Sequence, residues 1–174
     1  MSRILLSLAL TAPLSAYADG RSGVEDVQAY IEAFASRTPH WGPSKRLMNE
    51  AREIALLIVS VAEQYEIDYR ALAVLARCES GFRFNVRGDL DDEDVGILQV
   101  NQRSWGRLVA DLDLDTRRGQ LEAGARVFAS GVASCGSTEG GIVYYSIGRC
   151  DVPEGHRKGA NIRHRIHLFK RWSK

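Results

Sequence analysis

Apolar positions along this chain recur mostly three and four residues apart, the spacing that lines one face of an α-helix. Val24, Val27, Ile31 and Phe34 form one such stripe, and the segment from Pro39 to Pro43 ends it. Ser44 is placed to cap a longer helix whose broad apolar face carries Leu47, Ile54, Leu57, Ile58, Val61 and Tyr65. From about Tyr69 to Cys78 the pattern changes: Ala71, Leu72, Ala73, Val74, Leu75 and Ala76 are apolar on every side, as expected of a helix buried at the centre of a globule. Thr116 is placed to cap a fourth helix bearing Leu121, Ala125 and Phe128. Thr138 is placed to cap a fifth that reaches Tyr145, and Ile162, Ile166 and Phe169 mark a last one. No convincing strand is visible, so the expected fold class is all-α, in a single domain. The one long candidate loop runs from Phe84 to Val95.

The first residues do not fit this helical scheme. Arg3 precedes the mostly apolar run Ile4 to Leu14, and Ala16-Tyr17-Ala18 has the form of a cleavage site, so residues 1–18 read as a secretory signal peptide. The run falls short of the roughly 20 residues a membrane-spanning helix needs, and no later stretch is apolar enough to span. The expected organisation is therefore a signal peptide at 1–18, a helical segment at 19–43 packed on the domain, and the domain itself at 44–174, acting as a monomer in the periplasm or beyond it.

Charge is balanced overall, with 23 Lys and Arg against 22 Asp and Glu, but it is segregated. Residues 155–174 hold seven basic and no acidic side chains, so an acidic body ends in a basic helix. That helix invites an anionic partner such as an envelope polymer; it also has the apolar positions Ile162, Ile166 and Phe169 with which to dock on the body and neutralise it. Nothing resembles a nucleic-acid-binding motif. Three cysteines in an exported chain leave one over. Cys135 and Cys150 flank one short predicted helix and are the favoured disulfide, while Cys78 sits inside the apolar run. C-x-x-C does not occur, and His156, His164 and His167 read as surface residues rather than ligands, so no metal and no cofactor are expected.

The buried third helix ends in Arg77-Cys78-Glu79-Ser80-Gly81, where Gly81 suits the left-handed residue that stops a helix. A carboxyl at this point faces the negative end of the helix dipole in apolar surroundings, and both effects favour its protonated form. Cleavage of a glycosidic bond requires such a group, because the leaving oxygen must be protonated as the bond breaks. Further motifs follow: Gly96-Ile97-Leu98-Gln99-Val100-Asn101, Ala123-Gly124-Ala125, and Tyr144-Tyr145-Ser146-Ile147-Gly148. In this order the chain resembles the soluble lytic transglycosylases and related lysozyme-like domains, with a helix ending in E-S, then G-L-M-Q-I, an A-G-A-like element and A-Y-N-A-G. The resemblance covers roughly Ile58 to Cys150. Ser146 departs from it where the family more often has Asn, and the loop before Gly96 is unusually acidic.

The resemblance implies a lysozyme-like domain whose central buried helix ends at the catalytic Glu79. It implies cleavage of the bond between N-acetylmuramic acid and N-acetylglucosamine in peptidoglycan. Glu79 would protonate the glycosidic oxygen and then take the proton of the muramyl 6-hydroxyl, giving a 1,6-anhydro product without a cofactor. Gln99 is then the candidate for a polar substrate contact, and Gly96 for close approach of the backbone to the sugar. Ser80 would bond to the carboxylate or the backbone, Asn101 would support the same segment, and the Tyr145 hydroxyl would steady the acid. A hydrolytic outcome needs a second carboxylate, and Asp89, Asp91, Asp92, Glu93 and Asp94 are candidates. Small enzymes of this kind also serve envelope-spanning secretion, conjugation or pilus machines, which leaves an accessory docking subunit as the alternative to a cutting enzyme.

Overall fold

The computed structural model describes residues 22–38, 44–84, 86–88, 93–154 and 157–174. The signal-peptide reading, the Pro39 to Pro43 break and the acids Asp89, Asp91 and Asp92 lie outside these residues. Helix α1 (Gly23–Arg37) starts in a capping box, with Ser22 Oγ accepting from the Glu25 amide and the Glu25 carboxylate accepting from the Ser22 amide. It packs on α2 (Ser44–Gln64): of the expected stripes, Val27 and Ile31 of α1 and Leu47, Ile54, Ile58 and Val61 of α2 are buried, joined by Ala35 and Ala51, while Val24, Phe34, Leu57 and Tyr65 are partly exposed.

Helix α3 (Tyr69–Ser80) is fully enclosed from Ala71 to Ala76. Its alternation of alanine with Leu72, Val74 and Leu75 lets neighbouring helices approach on all sides. Each of those larger side chains contributes about 1.5 to 3 kcal/mol by leaving water. Gly81 stops the helix at φ +63°, as its position suggested. The Gly81 amide donates to the Arg77 carbonyl and the Phe82 amide to the Ala76 carbonyl, so the carbonyls of the last turn are satisfied by the tight reversal itself.

After α3 the described chain enters a small antiparallel hairpin, β1 (Asp94–Val95) and β2 (Val100–Asn101), in the register Asp94 opposite Asn101 and Val95 opposite Val100. Helix α4 (Gln102–Val109) follows directly, capped by the Asn101 side chain on the Ser104 amide. Neither the hairpin nor α4 was visible in the pattern. Two residues per strand are too few to show alternation, and α4 is short and interrupted by Gly106.

Helix α5 (Arg117–Cys135) is capped by Thr116, as expected. Helix α6 (Thr138–Ile147) is capped by Ser137, one residue before the predicted Thr138. A disulfide joins Cys135 at the end of α5 to Cys150 just beyond α6. Helix α7 (Arg157–Trp172) lies across α3 and α6, burying Ile162 and Phe169. Trp172 stacks on Tyr30 of α1, with ring centroids 4.1 Å apart. The fold is thus mostly helical around a central α3, and among the described residues no helix is long and apolar enough to cross a membrane.

Candidate active site

The C-terminal turn of α3 delivers Glu79 to a cleft of about 500 Å³. Its walls come from the β-hairpin, the start of α4, the end of α6 and one face of α7, and they include Asp94, Gln99, Trp105, Tyr145, Lys158 and Arg165. The Glu79 side chain is 18% exposed, enough to meet a ligand from one side only.

Four separate stretches of sequence meet beside it around the turn from Gly96 to Gln99. Ser80 Oγ donates to the Ile97 carbonyl at 2.7 Å, and the Tyr145 hydroxyl donates to the Leu98 carbonyl at 2.5 Å. Gln99 Nε2 donates to the carbonyls of Gly96 and Val86 at 2.8 and 3.0 Å. Gly124 of α5 completes the set: a Cβ there would lie 2.6 Å from Leu98 Cβ, so only glycine lets Leu98 seat against the helix. The E-S, G-I-L-Q-V, A-G-A and Y-Y-S-I-G segments therefore build one structural knot, with Glu79 at its edge.

These contacts revise several expected roles. For Ser80 they select one of the two expected partners: its buried hydroxyl donates to backbone, not to the Glu79 carboxylate. The amide nitrogen of Gln99 closes its own turn. That residue sits at φ +46°, where a side chain costs about 1 to 3 kcal/mol unless its surroundings hold it. Gly96 does not line the cleft. At φ +78° it faces α5, where a Cβ would meet the Gln120 side chain at 2.6 Å, so glycine is required for packing rather than for approach to a sugar. Asn101 lines the cleft; it caps α4 and donates to Asp94 Oδ1 at 2.8 Å. The Tyr145 hydroxyl is spent on Leu98, although the ring lies close enough for the Glu79 charge to push its phenol upward, second to burial. Tyr144 packs instead against Trp105 and Gly131.

Two charged groups complete the site. Of the acids in the 89–94 segment, Glu93 and Asp94 are described, and Asp94 reaches the cleft wall. Arg165 of α7 was read only as one of several basic residues on a docked or anion-binding helix. Its Nη1 lies 2.6 Å from Glu79 Oε1 and 2.9 Å from Ser146 Oγ, and its side chain is 14% exposed. Ser146 in turn donates to the Ile142 carbonyl at 2.9 Å. Ser146 thus fills its motif position by holding an arginine against the carboxylate.

Electrostatics at Glu79 are opposed. Burial pushes the carboxyl above the ordinary glutamate range; Arg165 pulls it back by charge and hydrogen bonding, and Asp94 adds a smaller upward push. Burial wins, and the acid is held raised. Among the described residues no group of three His, Cys, Asp or Glu side chains is placed to hold a metal ion. Comparison with protein-family models, curated proteins and solved structures finds no match to this chain.

Proposed function

We propose that this protein is a peptidoglycan lytic transglycosylase with a lysozyme-like domain, in which Glu79 is the acid and then the base at the bond between N-acetylmuramic acid and N-acetylglucosamine. The observation that carries the reading is the convergence of four short motifs, far apart in sequence, on one turn beside a raised, one-sided carboxyl. The cleft supports it: it is open on one side, and Trp105 offers a half-buried aromatic face of the kind on which sugar rings rest. A protonated Glu79 donates to the glycosidic oxygen, and its carboxylate then accepts the proton of the 6-hydroxyl. No cofactor enters this scheme. The same reading makes residues 1–18 an export signal and places the enzyme in the periplasm, where glycan strands are its partner and an envelope-spanning secretion or conjugation machine its setting.

A second reading has its own observation. Asp94, oriented by Asn101 and close enough to raise the Glu79 carboxyl, could hold a water on the far side of the bond, which would make the enzyme a lysozyme-type hydrolase.

Mass spectrometry of soluble muropeptides released from purified peptidoglycan tests both. Wild-type protein is expected to yield ends in 1,6-anhydromuramic acid, with release falling at least about 10²-fold in Glu79→Gln. Reducing ends, lost in Asp94→Asn, would establish the hydrolase. No release from folded wild-type protein would leave the accessory docking role.

A further inference from the structure

The candidate acid is held in an ion pair. With Arg165 Nη1 at 2.6 Å, the form of Glu79 that the pair favours is the carboxylate, which has no proton to give. The reading above needs the protonated form, which burial already favours against the pull of the pair, so opening the pair during the reaction loads the acid further. The structure gives the guanidinium room to leave: Arg165, like Asn161, lines both the main cleft and a second hollow of about 320 Å³ that also meets Phe34, Arg77, Cys78 and His164.

The cleft also has an electrical polarity across its width. One wall carries the carboxyls of Glu79 and Asp94, from α3 and β1. The opposite wall is α7, whose inward face presents Lys158, Asn161, Ile162 and Arg165 in successive turns. The other ionisable groups that feel Glu79 are its neighbour Cys78 on α3 and the Tyr145 phenol on α6. Peptidoglycan matches this division. Its sugar backbone is neutral, and its carboxylates hang from the 3-O-substituent of every muramyl residue, as the bare lactyl group or as the stem peptide built on it.

From this geometry we infer that Arg165 is a substrate-operated latch: a carboxylate on the muramyl substituent draws the guanidinium off Glu79 toward the α7 wall, and Glu79 then takes a proton from water and becomes a competent acid. Arg165 is a positioning residue in this scheme, acting through Glu79, with Ser146 fixing its resting place. Neutral glycan leaves the latch shut, so the enzyme discriminates muramyl strands from chitin-like ones by activation as well as by affinity. The inference rests on the reading of the cleft as a muramyl-glycan site.

The test is a pH titration of the Glu79 side-chain carbon signal by NMR, assigned with Glu79→Gln. It is run on the free protein, with chitotetraose, with the disaccharide carrying a bare lactyl carboxylate, and with the same disaccharide carrying a tripeptide. The titration midpoint is expected to stay put with chitotetraose and to rise with one or both anionic ligands, the pair telling which carboxylate is the key. In Arg165→Met the midpoint is expected to be raised already and to ignore all three ligands. The same variant should cleave strands at rates that no longer depend on their carboxylates. An equal rise with chitotetraose, or saccharide binding that leaves the midpoint unmoved, overturns the latch while leaving the function standing. Absence of binding by any saccharide overturns both. The wild-type titrations decide the matter even if the variant misfolds.

Discussion

Glu79 is pulled in two directions, and the balance has a measurable sign. Because burial raises its folded-state pKa above that of the unfolded chain, the fold binds this proton more tightly than the coil does. Its contribution to stability is full below the unfolded pKa and is lost as pH rises through the folded one. Glu79→Gln cannot ionise, so the variant should gain stability relative to wild type between about pH 4 and about pH 7, read from urea midpoints at the two pH values. A difference that shrinks over that interval would mean Arg165, not burial, controls the group. Reading the sequence placed Glu79 at the buried helix's end but missed its partner. The hint was there in the spacing: Arg165 stands three residues after Ile162 and four before Phe169, on the face that docks α7, and Lys158 stands four before Ile162. Counting all seven basic residues of the segment as one surface hid Arg165, which turns inward, and Lys158, which lines the cleft.

Among elements, the turn from Gly96 to Gln99 shows how motif and role came apart. Its residues were legible as a motif because their types are unusual together, yet the work of Ser80 and of the Gln99 amide nitrogen is to satisfy backbone carbonyls. Such pairings depend on contacts between distant segments, which periodicity does not encode. The helices α1, α2, α3, α5, α6 and α7 were all readable; α4 and the hairpin were too short to carry a period. Glycines separate the tight contacts from the loose ones. Gly124→Ala should cost about 1 to 3 kcal/mol, because Leu98 must yield to the new methyl. It should also lower activity by shifting the turn beneath Glu79. Gly106→Ala in α4 meets nothing within 4 Å and should instead add about 0.5 to 1 kcal/mol through helix propensity. Urea denaturation of the two variants checks both signs.

At the level of the whole molecule, the site is assembled from both sides of the disulfide. Helix α6 brings Tyr145 and Ser146 to the cleft, and the Cys135–Cys150 bond closes the 15-residue separation that contains it. Replacing both cysteines with serine should cost about 3 kcal/mol, from the loop-closure entropy returned to the unfolded chain. Activity is expected to fall at temperatures where the fold itself survives, since α6 then loses its anchor. Thermal melts run beside muropeptide release would separate the two effects. Cys78 gives this bond a history. Three cysteines allow three pairings, and the two wrong ones require Cys78 to attack as a thiolate. Burial in α3 pushes that thiol up, above the reach of the lowering by Arg165 and Arg77. Once the helices have collapsed around α3, both wrong exchanges are slowed, and oxidation favours Cys135 with Cys150. A chain that packs before it is oxidised is therefore biased toward the correct bond, and leans less on an isomerase to proofread it, than one oxidised while unfolded.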